Sequence, residues 1–181
     1  MKVTPTAITD VLLIEPEVFV DQRGFFFESY NARSLKRDTG LEISFVQDNH
    51  SRSSRNVLRG LHYQIRSVQG KLVRVTFGCV LDVAVDLRRS SPTFGRWVCE
   101  ELSAENKRQL WIPAGFAHGF VVLSDAADFL YKTTDYYDGA AERTIAWNDP
   151  DLAIDWRLDQ EPLVAPKDRA GIRFRDAETF E

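Results

Sequence analysis

The chain has 181 residues, 44% hydrophobic and 28% charged, with a formal net charge of −4. That size and composition fit one folded domain spanning residues 1–181, able to bury a core without disulfides or a structural metal. They exclude the basic footprint of a nucleic-acid binder, and no apolar run approaches the length of a membrane-spanning helix.

In chain order, Val11-Leu12-Leu13-Ile14 predicts a short strand that stops at Glu15-Pro16. No apolar leader follows Met1-Lys2-Val3, and Cys79 and Cys99 form no CxxC pair, so the expected setting is reducing and cytoplasmic. Asp21-Gln22-Arg23-Gly24 is a turn signal, and the aromatic run of residues 25–30 predicts a strand behind it. Asn31 is placed to cap a short helix over residues 32–37, with Gly40 to end it. Residues 44–50 read as a strand, closed by the polar run Ser51-Arg52-Ser53-Ser54-Arg55.

The next stretch, residues 56–64, organises the chain. Its alternation predicts a two-faced strand with Leu61 and Tyr63 on one side and Gly60, His62 and Gln64 on the other. Residues 71–77 predict a strand whose parity groups Lys71 with Val73, Val75 and Phe77. Residues 80–87 alternate Leu81, Val83, Val85 and Leu87 against Asp82, Ala84 and Asp86, the pattern of a half-buried strand. Further strands are expected over residues 96–102 and 109–112. Pro113-Ala114-Gly115 then turns the chain, and His118 stands where the next strand begins. Residues 127–137 predict a strand with Phe129, Tyr131, Thr133 and Asp135 on one face, and an irregular tail follows. Many short strands and one weak helix make the expected class all-β, a barrel or sandwich. No Gly-rich phosphate loop is present.

The chemistry offered is limited. There are three histidines, His50, His62 and His118. The segment from Pro113 to His118 resembles the second motif of cupin barrels, whose histidine often binds metal. The first cupin metal motif needs His-x-His and a later Glu; here His62-Tyr63-Gln64 stands in its place, which argues against a metal. What remains is a base (His62 or His118), an acid (Tyr131), cations (Lys71, Arg23, Arg59, Lys167) and a carboxylate to orient a histidine (Asp168). That set suits proton removal beside a carbonyl. Each member also has an ordinary structural reading: a core histidine, a core tyrosine, a rim lysine, surface arginines, a solvated aspartate.

The motifs together decide between these readings. Val57-Leu58-Arg59-Gly60-Leu61-His62-Tyr63-Gln64, Gly70-Lys71-Leu72-Val73-Arg74-Val75, Ser91-Pro92-Thr93-Phe94-Gly95, Gly115-Phe116-Ala117-His118-Gly119-Phe120, Tyr131-Lys132-Thr133-Thr134-Asp135-Tyr136-Tyr137 and Trp147-Asn148-Asp149-Pro150 resemble the dTDP-4-dehydrorhamnose 3,5-epimerase family, in order and over nearly the whole chain. The resemblance implies a cupin-type jelly roll working as a homodimer without metal or cofactor on a dTDP-4-keto-6-deoxy sugar. By motif, His62 would be the general base paired with Asp168, Tyr131 the acid, and Lys71 the cation at the enolate oxygen. His118 would line the sugar pocket, and Arg23, Glu28, Gln47, Asn49, Arg59, Glu142 and Lys167 would hold the nucleotide-sugar. Two rivals accompany this reading: an epimerase acting at a single carbon, and a cupin that binds a sugar nucleotide without turnover.

Overall fold

The computed structural model describes all 181 residues. Its strands, in chain order, are β1 (Lys2–Pro5), β2 (Leu12–Glu15), β3 (Val18–Asp21), β4 (Gly24–Phe27), β5 (Gln47–Ser54), β6 (Val57–Gln64), β7 (Lys71–Phe77), β8 (Cys79–Asp86), β9 (Trp97–Ser103), β10 (Gln109–Ile112), β11 (Phe116–Val122), β12 (Ala126–Thr133), β13 (Glu142–Thr144) and β14 (Leu163–Val164). Two short α-helices, α1 (Ala32–Thr39) and α2 (Pro166–Arg169), and one 3-10 turn (Phe174–Asp176) complete the regular structure. One sheet runs β1-β2-β10-β7-β12-β5; the other runs β13-β6-β11-β8-β9, with β14 added in parallel to β6. Facing each other, they form the expected jelly-roll barrel. β3 and β4 form a separate hairpin.

Strand parity accounts for the core. Val73, Val75 and Phe129 of the first sheet meet Val80, Ala84, Phe116 and Phe120 of the second in the barrel interior, with Tyr131 packed against them. Phe129 and Phe120 stack at 4.1 Å between ring centroids, and full burial of such a ring contributes roughly 1.5–3 kcal/mol. The opposite face of the second sheet carries Leu81, Val83, Val85, Ala117 and Val121, covered by Ile145, Leu152 and Trp156 from the tail.

That covering corrects the expectation of a half-buried β8. Asp82 and Asp86 are both fully buried, because the tail shields one face of the strand and the barrel interior encloses the other. The polar run Ser51-Arg52-Ser53-Ser54 is likewise no break: β5 continues through it, paired with β12 from Ser54↔Ala126 to Gln47↔Thr133. The neighbouring strand's hydrogen bonds outweigh the polar composition. α1 forms as expected: Asn31 accepts from the Arg33 and Ser34 amides, and Gly40 closes it in the left-handed region at φ 74°. β12 ends at Thr133, so Asp135 and Tyr137 lie in the irregular connection beyond the strand.

Candidate active site

A cleft of about 610 Å³ opens at one end of the barrel between the two sheets. His62 enters it from β6 and Tyr131 from β12, strands of opposite sheets. Lys71 from β7 and His118 from β11 lie deeper, each less than a tenth exposed. Parity therefore placed Lys71 and Tyr131 on the interior face, beside Val73 and Phe129.

The tail completes the wall behind His62. β14 pairs with β6 through Leu163↔Val57 and Val164↔Leu58, and the single turn of α2 then carries Asp168 back to β6. Asp168 Oδ1 lies 2.5 Å from His62 Nε2, and Oδ2 accepts from the Gly60 amide at 3.4 Å. Asp168 is only 1% exposed. A carboxylate held there accepts the Nε2–H and leaves the Nδ1 lone pair for another proton.

Two glycines let the histidine strands approach. A Cβ on Gly60 would fall 2.5 Å from Gly119 Cα, and one on Gly119 would fall 2.8 Å from the Arg59 carbonyl. Gly60 also has φ 130°, a region that side chains disfavour. The β6–β11 register shifts between His118 and Phe120, where this contact occurs, and His118 stays opposite His62.

Electrostatics separate the roles. Burial pushes the Lys71 ammonium down to about 8, with Asp82 and then Glu142 opposing the shift. Burial also lowers His118, against the pull of Asp82 at 2.9 Å from its Nε2. Tyr131 is raised, first by burial and then by the charge of Glu142, so its phenol keeps its proton at neutral pH.

The upper cleft carries polar and cationic groups. Arg59 Nε donates to Ser53 Oγ at 3.0 Å, which leaves the terminal guanidinium nitrogens for an anion. Lys167 Nζ lies 3.0 Å from Glu142 Oε1, and Tyr137 donates its hydroxyl proton to Glu142 Oε2 at 3.2 Å. Gln47 accepts from the Tyr137 amide at 3.0 Å and donates to Asn49 Oδ1 at 2.9 Å; Asn49 Nδ2 is buried without a partner.

Ten of the twelve expected site residues thus surround one cleft: His62, Tyr131, Asp168, Lys71, Gln47, Asn49, Arg59, His118, Glu142 and Lys167. Arg23 and Glu28 do not. Arg23 is at the exposed tip of the β3–β4 hairpin, paired with Asp21, and Glu28 bonds to Asn31 and Ser34 at the start of α1. Neither residue lines the cleft within this chain. His50 faces outward toward Asp128 at 3.6 Å, so the three histidines do not converge. Sequence reasoning missed Asp82 and Ser53. Asp82 looked like the solvent side of an alternating strand, and Ser53 sat in the polar run expected to close one.

A sequence model of the dTDP-4-dehydrorhamnose 3,5-epimerase family matches residues 5–176. The dTDP-4-dehydrorhamnose 3,5-epimerase of Pseudomonas aeruginosa is 68% identical over 99% of both chains. Among solved structures, the dTDP-6-deoxy-D-glucose-3,5-epimerase of Legionella pneumophila, in complex with dTDP-4-keto-L-rhamnose, superposes with a TM-score of 0.95 at 52% identity, covering 98% of this chain and 94% of the other. A 3'-monoepimerase of Streptomyces bikiniensis in complex with dTDP-quinovose has a TM-score of 0.89 at 34% identity, covering 97% of this chain and 88% of the other.

Proposed function

The chain belongs to the dTDP-4-dehydrorhamnose 3,5-epimerase family, and we propose that it inverts carbons 3 and 5 of dTDP-4-keto-6-deoxyglucose to give dTDP-4-keto-rhamnose. The observation that carries this reading is the placement of His62 and Tyr131 on opposite sheets of one cleft. A base and an acid on opposite walls reach opposite faces of a sugar ring, and removal from one face with return to the other is inversion. Full-length identity to relatives named for the double reaction exceeds that to the monoepimerase and favours two carbons over one.

His62, with Nε2 bonded to Asp168, takes the proton from a carbon adjacent to the ketone. The C–H electrons move into the ring and negative charge develops on the ketone oxygen. Lys71 and His118, deep in the cleft, meet that oxygen. A preorganised cation in a water-poor site is the most effective stabiliser of such charge. Tyr131 delivers its phenolic proton to the other face and is reprotonated from solvent, while His62 gives up the proton it took to solvent; a second round at the other carbon completes the product. Arg59 and Lys167 provide positive charge for the diphosphate, with Gln47, Asn49 and Glu142 ordering the upper cleft. None of these steps calls on a metal or cofactor.

The same reading makes the protein a cytoplasmic homodimer acting on a dTDP-sugar, with residues 1–181 as a single catalytic domain. The hairpin supports the dimer: Phe19, Val20, Phe25 and Phe26 are more than half exposed there. A second copy would cover that apolar face and bring Arg23 and Glu28 toward a cleft that their own chain does not reach. Light scattering of the purified protein at twice the chain mass is the expected result.

The deciding test of function is incubation with dTDP-4-keto-6-deoxyglucose in heavy water, followed by NMR. Deuterium with inversion at both carbons is expected. Inversion at one carbon alone would make the protein a monoepimerase. Binding without exchange at either carbon would leave a sugar-nucleotide-binding cupin.

A further inference from the structure

Asp82 has no part in the assignments above. It sits in the middle of β8, completely buried, and does not line the cleft. Its Oδ2 lies 2.9 Å from His118 Nε2, while Oδ1 is buried with no hydrogen-bond partner. A carboxylate with half its acceptor capacity unused in a dry interior is costly unless a nearby cation compensates it. Burial raises the Asp82 carboxyl, and His118 and then Lys71 pull it back toward the carboxylate; the candidate cation is the ammonium of Lys71, buried on the facing sheet.

We propose that Asp82 is a positioning residue for the epimerisation: from beneath the cleft its carboxylate fixes the ring of His118 and supplies the negative charge that keeps Lys71 an ammonium. This rests on the reading that Lys71 and His118 meet the ketone oxygen.

The charges around Lys71 support that balance. Asp82 approaches from β8 and Glu142 from β13, both favouring the ammonium; Lys167 of α2 opposes it. His118 from β11, His62 from β6 and Tyr131 from β12 border the same cleft. Glu100 of β9, opposite Asp82 in register, adds negative charge near the carboxylate. Among these, Asp82 is the foremost charge opposing the loss of the Lys71 proton caused by burial. It also pulls against the lowering of His118. One buried carboxylate therefore serves two groups that face the reacting oxygen, without touching the substrate.

Asp82→Asn keeps the side-chain shape and removes the charge. Lys71 should then lose its proton at lower pH, so the alkaline limb of kcat/KM should move toward acid by about one pH unit or more. The same substitution should change KM by no more than about threefold, because Asp82 makes no substrate contact. Activity should recover as the pH is lowered beneath the displaced limb. A loss that is equal at every pH, with the limb unmoved, would overturn the proposal and leave Asp82 a packing residue. If Asp82→Asn does not fold, the coupling is read from the other side. NMR of the parent protein and of Lys71→Met, each labelled with ¹³C-carboxyl aspartate, follows the Asp82 titration. Coupling is reciprocal, so loss of the ammonium must move the Asp82 step to higher pH. An unmoved step overturns the proposal. This arm needs no turnover, so failure of the substrate assignment and failure of the Asp82 proposal are told apart.

Discussion

The molecule contains two histidine–carboxylate pairs in one barrel, and they are not equivalent. His62 and Asp168 are 2.5 Å apart, with side-chain exposures of 21% and 1%. His118 and Asp82 are 2.9 Å apart, with exposures of 8% and 0%. The first is assembled from a strand and the returning tail, 106 residues apart in sequence. The second spans β11 and β8, which are hydrogen-bonded neighbours. The same two residue types therefore give different chemistry. In the wall pair, a part-exposed imidazole backed by a carboxylate can accept a proton from a ligand. In the floor pair, the imidazole is locked among rings, with Phe129 stacked at 5.9 Å, and its surroundings oppose charging. Burial, more than the pairing itself, separates a base from a fixed polar surface.

The sharpest way to break this comparison is to remove the base. His62→Asn should lower kcat by roughly 10²–10⁴-fold, the usual weight of a general acid or base. Affinity for dTDP, measured by calorimetry, should stay within about threefold, since the proposed nucleotide contacts are in the upper cleft and not at His62. Turnover near the parent rate would transfer the base role to His118. Tyr131→Phe should be the next largest effect. Inversion should fall by about 10²-fold while deuterium still enters from the His62 face, because the base survives and only the opposite donor is gone. Equal loss of exchange and inversion would contradict an acid on the far wall.

Much of this arrangement was legible in the sequence, and the rest was hidden for physical reasons. Strand parity placed Lys71 with Val73 and Val75, and Tyr131 with Phe129, on the interior face, because a period of two survives in any sheet. The capped helix was legible because its signals, Asn31 and Gly40, are local. Asp82 was not: alternation cannot say that the polar side of a strand faces a sealed barrel rather than water. Nor was β5, whose Ser51 and Ser53 are held in the strand by pairing with β12, a long-range partner. The meeting of Asp168 with His62 was reached through family motifs alone, since the tail carries no periodicity leading back to β6. The separation of Arg23 and Glu28 from the cleft had no local signal either.

Two intermediate effects sharpen the difference between wall and floor. In the parent protein, kcat/KM should fall as pH rises through about 8, because the required species is the Lys71 ammonium and burial has lowered it to that range. Lys71→Arg, which cannot lose its proton at such pH, should remove the limb whatever activity remains. Gly119→Ala tests the scaffold shared by both histidine strands. Its Cβ would meet the Arg59 carbonyl at 2.8 Å and Gly60 Cα at 3.1 Å, backbone atoms that cannot swing aside. Overpacking of this kind costs about 1–3 kcal/mol, which thermal unfolding should register as a lower Tm.

The smallest effect belongs to the mouth of the cleft. Lys167 and Glu142 form an ion pair at 3.0 Å with side-chain exposures of 53% and 20%. Such a pair is screened and contributes no more than about 1 kcal/mol to stability. Its weight lies in what Lys167 does next. Lys167 stands at the rim of the cleft, while the next residue on the single turn of α2, Asp168, is held by His62 and the Gly60 amide. Glu142→Gln frees Lys167 while keeping a hydrogen-bond partner for Tyr137. Its Tm should stay within about 2 °C of the parent. KM should change by several-fold if Lys167 meets the diphosphate as proposed, because it is no longer held at the rim. Below the alkaline limb set by Lys71 the kcat should remain close to the parent value, since His62 and Tyr131 keep their places and loss of the Glu142 charge only eases deprotonation of Lys71 and Tyr131. A large fall in kcat with constant KM would instead place Glu142 among the groups that act on the reacting carbons, and the division between a binding mouth and a reacting wall would fail.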